Sequence, residues 1–537
     1  MAVGIYFRAC IFSQLISSNK ALHSLHLNSK TDSMKKVIFL SLIPFLCIYF
    51  SSTAQRITYT EPDREDIRTL NYDIVGKING NVLIYKNYRE ANFISVYDVD
   101  MKLTEKTRLG YLPDKLINIE FISYSDNFLM FYEYQKRSTV FFMAAKLDGK
   151  GKLMTDPVQL DSTEINFNAT TKIYSVIHSD DKKKIMVFKI NTKHDNQNVL
   201  TTVLTDPSLV LTHRTRVNIP MPEHNDFLTE FQLDNDGDLA CLKAWGTAQN
   251  DNISKITLLK KSALDDEVKA TDPKLSGFYL DDIKLKVDNF NKHYLITSFF
   301  SKQKRSNVDG LYLYLWDKQN AKEVYNTTAT FSEELRAEAR GENTIKMAFN
   351  DFFLRHIIME SDGGFVISSE ANTTSTRGST PMNRWDYMYG GSYMMSPGYY
   401  AYGSPYYYPG SRYNSMNQTR YFADNIAIFS FDPKGKIQWS NVIHKSQYDD
   451  NSDSFIGYGL INTGDQVHYL FNVEEKRQMV FTDQTISTEG QLAHNATLKN
   501  LDKGYEFMPR HAKQVGSRTI IVPCQYRNNV CFAKVEL

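Results

Sequence analysis

Short apolar runs alternate with polar tight turns along most of this chain, and each turn leads into a second, usually more apolar run. The turns fall at Asn79-Gly80-Asn81, Ser125-Asp126-Asn127, Asp180-Asp181-Lys182 and Asp236-Gly237-Asp238. They continue at Asn291-Lys292-His293, Asp362-Gly363-Gly364, Thr463-Gly464-Asp465 and Gly516-Ser517-Arg518. The runs that follow, such as FLMFYEY (128–134), YLITSFF (294–300) and VHYLFN (467–472), carry the β-branched and aromatic residues that suit strands. Third strands are expected at 93–99, 140–148, 311–317 and in Asp424–Ile443, where an apolar run meets Asp432-Pro433-Lys434-Gly435-Lys436. Each of these four ends in Asp or reaches one within a residue.

Successive turns lie about 46, 55, 56, 55, 71, 101 and 53 residues apart, mostly the length of one four-stranded propeller blade. Eight hairpins predict an all-β fold, a β-propeller of eight blades, with seven as the alternative if one unit is a decoration. Two β-sandwiches would not produce so even a spacing. The last unit ends at Val530–Leu537 after three strands, while Arg56–Thr60 is strand-like and unassigned. The N-terminal strand is therefore expected to close the last blade.

Both long spacings have a local explanation. SEELRAEARG (332–341), inside a helical insert at 331–350, offers Ser332 as N-cap, acids in the first turn and Gly341 as a stop. The larger excess is an insertion at 371–423. Its stretch 385–413 holds ten of the 33 tyrosines, and Gly and Pro interrupt any strand or helix there.

The first 54 residues read as something other than fold. Lys35-Lys36 precedes an apolar run, Val37–Phe50, and small residues end at Ala54, the pattern of a cleaved signal peptide at 34–54. The run is shorter than the roughly 20 residues a bilayer needs, so no transmembrane segment is expected in the mature chain. Residues 1–33 read as the product of an upstream start codon. From Gln55 onward there are 57 basic and 60 acidic groups, a net charge of about −3, and no basic face points to nucleic acid.

Chemistry-bearing motifs are few. Asp234-Asn235-Asp236-Gly237-Asp238 looks like the start of a calcium loop, but the position where an EF-hand places its bidentate Glu is Trp245. It reads as a hairpin turn. No HExxH, GxSxG, Walker or dinucleotide motif is present, so no catalytic residue, metal or cofactor is expected. His178, His356, His444, His468 and His511 lie in separate repeats. An enzyme would need a His and several carboxylates gathered at one channel mouth. The acidic run 449–453 reads as a solvated loop. Cys524 and Cys531 flank a tight turn at Arg527-Asn528, and either a disulfide or two buried thiols would fit.

Tyrosine-rich surface suits protein or sugar partners, so Trp385, Tyr399, Tyr400, Tyr406, Tyr407, Tyr408 and Arg412 are the candidate binding residues. Arg384 and Arg420 could add stacking or anion contacts.

At FSFDPKGKIQWSNVIHKSQYDDNSD (429–453) the chain resembles uncharacterised, exported β-propeller-like proteins of the Bacteroidetes. The resemblance is carried by the Asp-x-x-Gly turn and by Trp439-Ser440-Asn441-Val442-Ile443-His444-Lys445-Ser446-Gln447. It implies a Gram-negative envelope location, periplasmic or associated with the outer membrane, and it carries no activity. The expected function is non-catalytic binding or scaffolding of an envelope protein or glycan. The alternative is a propeller hydrolase or lyase acting on glycan or peptide at the channel mouth.

Overall fold

Strands account for nearly all regular structure in the computed structural model, which describes residues 56–63, 70–89, 91–193, 196–247, 252–340, 348–376, 419–450, 452–475, 478–495 and 504–537. All of these belong to one unit, Gln55–Leu537. The strands form consecutive four-stranded antiparallel meanders. The first is Leu70–Ile78, Asn81–Tyr88, Ala91–Tyr97 and Leu103–Arg108. Later meanders open with Asn118–Ser123, Ser175–His178, Asp226–Leu233, Tyr279–Asp288, Phe352–Met359 and Gly459–Asn462. The fourth and fifth share one sheet, bridged at Ile253↔Leu280. The eighth unit consists of Tyr505–Phe507 and Lys513–Gly516 beside Thr519–Tyr526 and Asn529–Glu536. Arg56–Tyr59 adds as its outermost strand, with Arg56 opposite Glu536. The expected N-terminal strand therefore pairs where the sequence placed it.

Burial follows position within each unit. In the fifth, His293–Ser301 is buried at all but its first residue. The outer strand Leu103–Arg108 of the first is largely exposed. A strand covered on both faces reads as a continuous apolar run, which explains the YLITSFF type of segment. The core comprises hydrophobic clusters that each join neighbouring units. Ile84 and Leu70 of the first unit pack with Ile521 and Phe532 of the eighth. Val75 and Leu83 pack with Phe128 and Met130 of the second. Each buried Phe, Leu or Ile side chain contributes about 1.5–3 kcal/mol.

The aspartates that end third strands shape the following turn. Asp98 Oδ1 accepts from the backbone N–H of Asp100 and Lys102, both at 2.9 Å. Asp148, Asp206 and Asp432 repeat the arrangement. The residue three places after each Asp has positive φ: Met101, Gly151, Leu209 and Gly435. The carboxylate thus holds in place a turn that costs backbone strain wherever that residue is not Gly.

Turns after the first strands meet those of neighbouring units. Asn79 N–H donates to Ser125 O (2.9 Å), Tyr124 Oη to Lys182 O (2.9 Å), and Asn235 N–H to Asn289 Oδ1 (2.8 Å). In an antiparallel meander the turn after the third strand lies at this same end. The turns after second strands and the links between units lie at the other.

The acidic turn Asp234–Asp238 is a hairpin turn with an occupant from its own chain. Lys318 Nζ stands 2.6 Å from Asp234, 2.7 Å from Asp236 and 2.9 Å from Asp238. An ammonium fills the position a cation would take.

The insert between units five and six contains the short helix α1, Glu333–Ala339. Ser332 Oγ accepts from Leu335 N–H (3.2 Å), and Leu335 and Ala339 face the core. Gly341, the expected stop, lies outside the described residues.

Candidate functional site

The second and third strands of unit six are the longest described, Phe365–Thr376 and Thr419–Phe431. Their ladder runs past a register shift between Glu370 and Asn372 and continues to Thr376↔Thr419. Residues 371–376 and 419–423, the two ends of the expected insertion, are therefore strand. The β-branched Thr373 and Thr374 stand opposite Phe422 and Tyr421, residue types that suit a strand. Trp385, Tyr399, Tyr400, Tyr406, Tyr407, Tyr408 and Arg412 lie outside the described residues, as does Arg384.

A third strand completes this extension. Gln447–Asp450 pairs with Arg420–Ala423. Part of the acidic run is thus a strand and not a solvated loop, because its backbone pairs with the extended hairpin. Arg420 Nε lies 2.7 Å from Asp450 Oδ1, and its guanidinium stacks 4.7 Å from the Tyr448 ring. Tyr448 is 60% exposed. An aromatic ring, a guanidinium and a carboxylate therefore line the outside of the extension.

Its base is a buried ionic network. Glu370 ends the apolar part of its strand with 1% exposure. Lys445 Nζ lies 2.8 Å from Glu370 Oε1, while Arg355 Nε and Arg510 Nη2 lie 3.5 and 3.7 Å from Oε2. Arg510, in a 3-10 turn Pro509–His511 of unit eight, also donates to Asp453 Oδ2 (2.7 Å) and Asn372 Oδ1 (2.9 Å). Burial alone would raise the Glu370 pKa, but the Lys445, Arg510 and Arg355 charges outweigh it and hold the carboxyl at about 2. Burial pulls the Lys445 amine down, opposed by Glu370. Burial would likewise raise Asp453, and Arg510 with His511 brings it below its ordinary value.

Beside the network, His356 Nδ1 and Tyr458 Oη are 2.8 Å apart. Burial, assisted by the Arg355 charge, lowers His356 to about 3, so its imidazole is neutral at physiological pH. Burial pushes the Tyr458 phenol well above its usual range. His468 is oriented separately, with Nδ1 at 3.0 Å from Asp483 Oδ2. Among the described residues, no group of three or more His, Cys, Asp and Glu is arranged to hold a metal.

The segment that carries the family resemblance bridges units six and seven. Trp439 Nε1 donates to Thr488 O (3.0 Å) and Asn441 Nδ2 to Gly490 O (2.8 Å). A Cβ on Gly490, which has φ +80°, would fall 2.6 Å from the Trp439 ring, so this position requires Gly. Lys445 reaches Glu370. Gln447 accepts from Gly457 N–H (2.8 Å) and donates to Asn472 O (2.8 Å). The motif is an inter-unit bracket.

Arg355, Glu370 and Arg510 were not singled out from sequence, and Asp453 was read only as part of a solvated acidic loop. One signal was available: Glu370 closes the apolar run FVISSE, where a charge needs buried partners. Cys524 and Cys531 are directly opposed, buried, and present as free thiols with their sulfurs 2.9 Å apart.

No protein-family model and no curated protein matches the chain. Similar solved structures include a prolyl endopeptidase at 10% identity and TM-score 0.40, covering 86% of this chain and 55% of that one. The polysaccharide lyase Uly1 aligns at 9% and 0.38, covering 78% and 89%. A PL25 ulvan lyase bound to -[GlcA(1-4)Rha3S]- aligns at 12% and 0.32, covering 87% and 95%. The chain spans about half the length of the prolyl endopeptidase. These likenesses assign no activity.

Proposed function

We propose that the chain is an exported, non-catalytic β-propeller of eight blades that binds an envelope protein or glycan through the extended hairpin of unit six. Closure of the ring is supported by the hydrophobic cluster shared between units eight and one, and by Arg56–Tyr59 pairing with Asn529–Glu536. Binding is supported chiefly by the hairpin itself. Two strands run beyond their sheet and carry the tyrosine-rich insertion between Thr376 and Thr419, and Arg420 on one of them meets Tyr448 of the strand Gln447–Asp450 paired to it. The Glu370 network fixes the base of this arm, so its position is set by the ring. The test is a paired substitution, Arg420→Gln with Tyr448→Ser. Capture of partners from envelope extract, or binding on a glycan array, should fall while melting is unchanged. Undiminished binding would refute the role of this arm.

A second reading, hydrolase or lyase action on glycan or peptide, is favoured by the neutral His356–Tyr458 pair beside Glu370, Arg355 and Arg510. It requires turnover. Incubation with acidic polysaccharides and with peptides should yield new reducing ends, unsaturated sugar or free amines that His356→Ala abolishes. No product from any of them would exclude it.

A further inference from the structure

Two lysines reach the line where first strands of neighbouring units meet, and among the described residues neither has a carboxylate partner. Lys513, in the first strand of unit eight, extends to unit one, where its Nζ donates to Ile74 O (2.7 Å) and Val75 O (3.3 Å). Lys182, in the first turn of unit three, extends to unit two, where its Nζ donates to Ser123 O (2.9 Å). These carbonyls adjoin. A Cβ on Gly76, the residue after Val75, would fall 2.6 Å from Ser123 Oγ, so the first strands of units one and two touch at this point. Ammoniums arriving from units eight and three are thereby brought together.

Other charges nearby are already engaged. Lys284 stands 3.3 Å from both Glu230 and Asp282, and Arg355 lies 3.5 Å from Glu370. Asp180 accepts from Asn289 Nδ2 and Asp181 from Ser179 Oγ, while Glu120 is held by Asn118 and Lys172. The place is nevertheless open to solvent. His178 is exposed, and Asp73, Lys182 and Lys513 are half-buried. Burial still lowers His178 and Lys182 and raises Asp73 to about 6, and the Lys513 charge acts on all three. Groups that touch solvent and yet feel burial line a recess.

We propose that this recess binds a compact tetrahedral oxyanion, a phosphate or sulfate ester group, between the ammoniums of Lys182 and Lys513. Each ammonium has three N–H donors and commits at most two to strand carbonyls, so donors remain on both. Point-like ammoniums on flexible stems suit oxygens spread in three dimensions, whereas a planar carboxylate is matched by the Arg fork. Partial burial strengthens the attraction beyond that of surface lysines. Asp73, faced by Lys513 and Glu120, opposes the anion when ionised. The recess lies near the first turns, at the end opposite the unit-six hairpin, and its role does not depend on that arm.

Inorganic sulfate, whose charge is constant from neutral to mildly acid pH, is titrated calorimetrically into the protein at fixed ionic strength, with inorganic phosphate as the second probe. Both should bind. Lys182→Gln and Lys513→Gln should each weaken binding by about tenfold or more. Asp73→Asn should tighten sulfate binding by about threefold or more at about pH 7.5. That advantage should vanish as the pH falls through about 6, where the wild-type carboxyl becomes neutral. His178 is common to both proteins, so its own titration cancels. Arg420→Gln, in the unit-six arm, should leave the affinity unaltered. The proposal is overturned if neither anion binds at millimolar concentration, or if the lysine variants bind as tightly as the wild type. It is equally overturned if Asp73→Asn leaves the affinity at about pH 7.5 unchanged, a comparison that stands even where a lysine variant fails to fold.

Discussion

Replacing Glu370 by Gln keeps the side chain's size and removes its charge. Lys445 is then left buried in full, with Arg355 and Arg510 beside it and no countercharge at the centre. A carboxyl held at about 2 against an ordinary 4.5 contributes about 3 kcal/mol in its ionised form. Stranding one partner of a buried pair typically costs about 3–5 kcal/mol. The two routes agree, so Glu370→Gln should lose about 3 kcal/mol at neutral pH in urea unfolding followed by tryptophan and tyrosine fluorescence. The sign with pH is also set. Because the folded pKa is depressed, the contribution is complete above about 4.5 and is lost as the pH falls toward 2. The gap between wild type and variant should therefore narrow from about pH 4.5 downward. A loss below about 1 kcal/mol at neutral pH, or a gap that does not narrow in acid, would refute the assignment of Glu370 as the ionised hub.

Lys318→Met removes the ammonium shared by Asp234, Asp236 and Asp238 and should cost about 1–3 kcal/mol, with the loss shrinking in high salt as repulsion is screened. A salt-independent loss would indicate packing instead. Cys524 and Cys531, opposed in register, should be found joined when the protein is recovered from an oxidising compartment. Alkylation and mass measurement would show two protected sulfurs, and reduction should lower stability by about 2 kcal/mol. Alkylation of both sulfurs after denaturation without reductant would exclude the bond.

The repeat was legible because each unit announces itself by a polar turn and a doubly buried strand, and the aspartates ending third strands mark real turn caps. Asp98, Asp148 and Asp432 could be found by eye because their task is local, within four residues. The Glu370 network could not. Its members span residues 355 to 510 and meet only because units six, seven and eight pack together. Lys445 and Gln447 stood inside the motif that carried the family resemblance, yet their partners Glu370, Gly457 and Asn472 lie in other strands and links. The acidic run at 449–453 looked solvated because its neutralising partners, Arg420 and Arg510, are 30 and 57 residues away. Charge patterning along a chain does not reveal pairings of that range.

The role of the unit-six arm is tested most directly by removing residues 378–417 and joining the strands that end at Thr376 and begin at Thr419. The fold should melt unchanged, since the four-stranded units hold its core. Affinity for the partner captured from envelope extract, measured against the intact chain, should fall by about tenfold or more. Equal affinity at equal stability would contradict binding through the arm.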